Sequence, residues 1–158
     1  MRGILVFTLM IALLGIFCLP SVVWAGDVAI KAPESVSGSF TATLEADAGS
    51  QALGAFEINV YFNPNVIAVS GVQGGKTGEF SRAPIVNINN KEGVVFLTSF
   101  QAESLVAPKG LVDIASIKFK VIGLSGDNSP LSLEVKTLVD TNGGDIAGKT
   151  ASGNVTVK

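Results

Sequence analysis

The chain has 158 residues, 11 Lys+Arg against 13 Asp+Glu and no histidine, about one domain's worth of polypeptide. Its single cysteine (Cys18), both methionines (Met1, Met10) and its only tryptophan (Trp24) all precede Gly26, so the rest of the chain cannot build a Ser-His-Asp triad, a thiol nucleophile, a His/Cys zinc site or a disulfide. With the charges nearly balanced and no basic run to follow a phosphate backbone, nucleic acid is not expected as a partner.

Residues 1–25 read as a secretory signal. Arg2 supplies the positive start, an apolar stretch runs from Ile4 to Leu19, Pro20 ends it, and Val23 and Ala25 occupy the −3 and −1 positions. An uncleaved anchor is the rival reading, since Ile4 to Val23 approaches the roughly 20 residues that span a bilayer, but Pro20 and Ser21 interrupt it. The expectation is a domain over 26–158, exported to the periplasm, the medium or the cell surface, with no membrane span left after cleavage.

Beyond Gly26, alternation with period two dominates and no helical stripe emerges. Strands are expected at 28–31, 40–48, 55–62, 66–72, 85–89, 94–101, 111–122, 131–138 and 154–157. In the second of these Phe40, Ala42, Leu44, Ala46 and Ala48 share one face, with Ser39, Thr41, Thr43, Glu45 and Asp47 on the other. In the third, Phe56, Ile58, Val60 and Phe62 alternate with Ala55, Glu57, Asn59 and Tyr61. Turns are marked by Asn63-Pro64-Asn65, Lys91-Glu92-Gly93 and Asn142-Gly143-Gly144. Nine short strands punctuated in this way predict an all-β fold, a nine-stranded antiparallel β-sandwich with jelly-roll topology.

Three blocks resemble the cohesin domain. Residues 54–69 (GAFEINVYFNPNVIAV) are similar to that family's third strand and its Tyr-Asp-Pro turn. Residues 110–121 (GLVDIASIKFKV) resemble its Gly-x-Leu-Ala-x-Ile-x-Phe-x-Val strand, and 94–97 (VVFL) fall where its sixth strand is expected. The resemblance extends over residues 27–158. It implies a jelly roll related in fold to carbohydrate-binding modules and a non-catalytic module that binds a dockerin. Assembly of extracellular polysaccharide-degrading or cell-surface complexes would be its role. No cofactor is implied on this chain; calcium is expected on the dockerin. The family face, formed by strands three, five, six and eight, would carry Glu57, Asn59 and Tyr61, then Asn87 and Asn89, then Val95, Leu97 and Ser99, and finally Ser132 or Glu134. Where many type I cohesins have an Asn-x-Asp pair this chain has Ala55 and Glu57, and the turn Asp is Asn63. The scaffold repeats and anchoring segments of a cellulosomal scaffoldin are not expected, so the reading is a lone cohesin of the kind found outside cellulosomes.

The residues also argue for a binding face on their own. In residues 94–101 the even positions (Val94, Phe96, Thr98, Phe100) fit an inward face, which leaves Val95 and Leu97 outward and apolar. Such a strand is either covered on both sides or presents a sticky surface. A partner surface with Val95, Leu97 and Tyr61 at its centre and a loop at 101–109 folded over Val95 and Leu97 are both consistent with this pattern.

Other motifs carry less. Residues 70–77 lack the first Gly of a phosphate loop and precede no helix, so a flexible loop is expected. Residues 140–145 lack the ligand spacing and the bidentate Glu of an EF-hand and fit a hairpin turn. Glu45, Asp47 and Glu57 have no cleft that would tune a glycosidase pair. Direct polysaccharide binding, the main alternative, needs ring-stacking aromatics, and beyond residue 25 there is one Tyr and no Trp. A structural or adhesive surface domain is the remaining alternative.

Overall fold

The computed structural model describes residues 27–158, so the signal segment read at 1–25 lies outside the described residues. Eleven strands form: β1 (Val28–Lys31), β2 (Ser35–Val36), β3 (Ser39–Asp47), β4 (Leu53–Tyr61), β5 (Ile67–Gly74), β6 (Ile85–Asn89), β7 (Val94–Phe100), β8 (Leu111–Val121), β9 (Asn128–Asp140), β10 (Thr150–Ala151) and β11 (Gly153–Val157). They make a five-stranded sheet, β10-β1-β3-β8-β5, packed on a six-stranded sheet, β2-β11-β9-β4-β7-β6. The all-β sandwich is as expected, with two differences. The two additional strands, β2 and β10, hold two residues each, too few to show any alternation. Both pair in parallel, β10 with β1 and β2 with β11, so the sheets are mixed rather than purely antiparallel. The expected loop at 70–77 is largely strand: β5 continues to Gly74, and a single 3-10 turn, Gly78–Phe80, follows. Among the described residues no helix is long and apolar enough to cross a membrane.

The core lies between the sheets, where one parity of each strand meets the other sheet's. From β3 come Ala42, Leu44 and Ala46; from β4 Phe56, Ile58 and Val60; from β8 Val112, Ile117 and Phe119. A bulge between Leu44 and Glu45 shifts the β3–β8 register, which is why Ile114 and Ala115, adjacent in sequence, are both buried. Phe119 stacks on Phe40 at 5.3 Å between centroids and meets the edge of Phe62 at 5.6 Å, geometries that aromatic quadrupoles favour.

Two turns position the strands of interest. After β4, Asn63 Oδ1 accepts the Asn65 N–H at 3.0 Å, a local side-chain turn that Asn supports as well as Asp does. Between β6 and β7, Gly93 has φ +71°, and a Cβ there would lie 2.2 Å from the Phe62 carbonyl oxygen. Only glycine closes this hairpin, and its carbonyl accepts the Phe62 N–H at 2.8 Å.

Candidate binding face

The outward surface of the six-stranded sheet is continuous across β9, β4, β7 and β6. Its middle strand, β4, buries Phe56, Ile58 and Val60 and turns Glu57, Asn59 and Tyr61 outward. The ladders place Glu134 beside Asn59 and Ser132 beside Tyr61 on β9. Phe96 lies beside Asn59, and Val94 beside Tyr61, on β7. Asn87 and Asn89 flank Phe96 and Val94 from β6.

On β7 the expected orientation is reversed. Val95 and Leu97 are 0 % exposed and belong to the core, opposite Val60 and Ile58. Ser99 pairs with buried Phe56 and sits on the same inner side. The outward residues are Val94, Phe96, Thr98 and Phe100, Phe100 being 73 % exposed. Neither sequence reading of Val95 and Leu97 holds: they form no outer patch, and the loop at 101–109 does not cover them, because the opposite sheet does. Alternation could not decide the parity, since Val94, Val95, Phe96 and Leu97 are all apolar. The hairpin decides it. Asn89 pairs with Val94 across a four-residue turn, so odd positions of β6 share a face with even positions of β7; outward Asn87 and Asn89 require outward Phe96.

Of the expected site residues, Glu57, Asn59, Tyr61, Asn87, Asn89 and Glu134 therefore lie on one face, and Val95, Leu97 and Ser99 do not. The face has a polar and an apolar half. In the polar half, Glu134 Oε2 accepts from Tyr61 Oη at 2.7 Å and from Asn59 Nδ2 at 3.0 Å, while Lys136 Nζ donates to Oε1 at 2.5 Å. Lys136 first, then Tyr61 and Asn59, hold the Glu134 carboxyl down from its ordinary 4.5 to about 2, and Glu134 in turn raises Lys136. Tyr61 and Asn59 thus stand in one orientation, with Tyr61 Oη donating to Glu134 and Asn59 Nδ2 donating to Glu134 and, at 3.2 Å, to Tyr61 Oη. Glu57 accepts from Thr137 Oγ1 at 3.2 Å. A shallow depression of about 440 Å3 runs between Asn59, Tyr61, Asn87, Asn89 and Phe96.

At the other end of β7 a depression of about 320 Å3 is lined by Ile85, Thr98, Phe100 and Ala102, with Arg82 and Glu103 at its rim. Beside it the loop at 101–109 presents Leu105 and Val106, 77 % and 71 % exposed. The loop is fastened by Gln101, whose Nε2 donates to the carbonyls of Leu53, Ser104 and Ala107 while its Oε1 accepts from the N–H groups of Glu103 and Ser104. Apolar side chains standing in water on a tied-down backbone are the usual material of an interface. The turn after β9 is the hairpin expected, with Asp140 Oδ1 accepting the N–H groups of Asn142 and Gly144.

Comparison with known proteins bears on both the fold and the family. No curated protein matches the sequence significantly. Among solved structures, the fold is similar to a non-cellulosomal cohesin of the hyperthermophilic archaeon Archaeoglobus fulgidus, at TM-score 0.69 and 14% identity over 85% of this chain and 91% of that one. It is also similar to the seventh ScaB type I cohesin of Pseudobacteroides cellulosolvens, at TM-score 0.68 and 16% identity, covering 85% and 92%. A third likeness is the cohesin–dockerin complex containing the OlpA cohesin of Clostridium thermocellum, at TM-score 0.68 and 12% identity, covering 85% and 99%. At these identities the likeness establishes the sandwich. The family model named Cohesin domain matches residues 26–157, and the chain therefore belongs to the cohesin family, whose domains are non-catalytic binding modules.

Proposed function

We propose that the protein is an exported dockerin-binding module, and that the outward face of β9, β4, β7 and β6 is its docking surface. The observation that carries this reading is the apolar outer side of β7. Phe100 stands in water on a regular strand and half-buried Phe96 shares its outer side, flanked by the oriented Tyr61–Asn59–Glu134 cluster. Membership of the cohesin family supports it, as do solved relatives that are cohesin–dockerin complexes. Phe96 and Tyr61 form the centre of the surface, with Glu57, Asn59, Asn87, Asn89 and Glu134 as its polar surround. A flat face of four strands matches the roughly 800 Å2 per partner of a standard interface. Calcium belongs to the dockerin, and export would place the module in the assembly of extracellular polysaccharide-degrading or cell-surface complexes.

The test is to titrate the protein with calcium-loaded dockerins of its own organism in a calorimeter and, separately, to mix it with insoluble cellulose. Saturable dockerin binding, abolished by chelation, is the expected result. Retention on cellulose with no heat from any dockerin would overturn the proposal in favour of a carbohydrate-binding module.

A further inference from the structure

An open sandwich of two sheets has four edges, and exposed edges invite pairing with other chains unless something blunts them. Three are blunted here. β2 and β10 end their sheets with two residues each, too short to template a partner. β5 is bulged between Val69 and Gly71, and the Asn90 side chain closes it as another strand would: Oδ1 accepts the Val69 N–H at 2.7 Å, and Nδ2 donates to the Val69 carbonyl at 3.0 Å.

The fourth edge, β6, has no such protection. Its register with β7 is regular throughout, every residue from Ile85 to Ile88 is exposed, and no charged residue occurs from Ala83 to Asn90. Its inner side is also incomplete. Val86 and Ile88, paired with Leu97 and Val95, are each 38 % exposed, whereas those two neighbours one strand inward are 0 % exposed. At this edge the apolar interior ends one strand before the sheet does.

We propose that the β6 edge pairs with the β6 edge of a second copy of this chain, antiparallel and centred on Asn87. A two-fold interface requires a self-complementary surface, and this segment provides one. Antiparallel pairing about Asn87 sets Val86 of each copy opposite Ile88 of the other, covering the apolar side chains left bare, and sets Ile85 opposite Asn89. The pairing uses the edge and leaves the outward face free. Two six-stranded sheets would become one of twelve and, on the reading proposed above, two docking faces would lie side by side on one body, the arrangement through which linked sites gain avidity.

Sedimentation velocity of the purified protein over a dilution series tests the pairing without any dockerin. A reversible monomer–dimer equilibrium is expected. A Val86→Lys, Ile88→Lys double variant should weaken it on the order of tenfold or more. Hydrogen exchange on the unaltered protein gives a second reading that no folding defect can confuse: β6 amides should be protected at high concentration and lose that protection on dilution. A monomer at concentrations up to about 1 mM overturns the proposal. So does a dimer whose β6 amides exchange at one rate at all concentrations, or one that the folded double variant forms equally well. Dockerin titration of the monomeric variant keeps the two readings apart, since Val86 and Ile88 are off the outward face and binding should persist.

Discussion

β3 and β7 each run through the interior of one sheet, and each buries alternate residues against the other sheet. They differ on the outside. β3 shows water Thr41, Thr43 and Glu45, next to Ser116 and Lys118 on β8. β7 shows Val94, Phe96, Thr98 and Phe100. Both inner faces obey the same hydrophobic requirement, so the inner faces carry no information about what the molecule meets. The outer faces do: one is an ordinary solvated sheet surface, the other is apolar where folding alone does not ask for it.

Substitutions along β7 should separate its two sides most sharply. Leu97→Ala removes a fully buried side chain and should cost about 2–5 kcal/mol of stability, read from urea unfolding. If Leu97 instead acted at the surface, stability would hold and only capture would suffer. One position earlier, truncating half-buried Phe96 to Ala should lower stability much less than Leu97→Ala does and cost about 2 kcal/mol of dockerin binding, measured by calorimetry; an unchanged affinity would remove β7 from the docking surface.

A subtler effect is expected at Glu134. Its carboxyl is depressed to about 2 from an ordinary 4.5, so the cluster's contribution to stability is complete above pH 4.5 and declines as the pH falls towards 2. A carboxyl titration followed by NMR should show that low midpoint. Lys136→Met should raise it most and Tyr61→Phe less, following the order of their hydrogen bonds. At the bottom of the scale, Thr41→Ala on β3 should move stability by no more than about 0.5 kcal/mol and leave binding unchanged, which makes it the reference for the solvated face.

How far the fold could be read from the residues follows from the same contrast. In β3 and β4 the outward positions are Thr, Glu, Asn or Tyr, so alternation alone orients each strand, and both orientations match the structure. The four-strand face was implied by the cohesin resemblance, and six of the residues expected on it, from β4, β6 and β9, share one face of the sheet. β7 failed because polarity, the only signal applied to it, is absent over four consecutive apolar residues. The pairing constraint imposed by the turn at Asn90 to Gly93 would have resolved it, and that constraint lies between strands rather than within one. The edge strands β2 and β10 were illegible for another reason: two residues are held by their neighbours' ladders and leave no pattern of their own.

The five hydrogen bonds of Gln101 have a consequence for the lifetime of the loop they fasten. Lys109 is exposed there and followed by glycine, an inviting site for a trypsin-like protease. Its neighbours, however, are engaged, the Pro108 carbonyl accepting the Leu53 N–H and the Gly110 N–H donating to Gly49, both at 2.8 Å. A protease needs several residues drawn out into its cleft, so scission after Lys109 must wait for this stretch to peel away. The Gln101 amide over residues 101–107 and these two backbone bonds beyond it together fasten a segment that has neither helix nor strand to shield it.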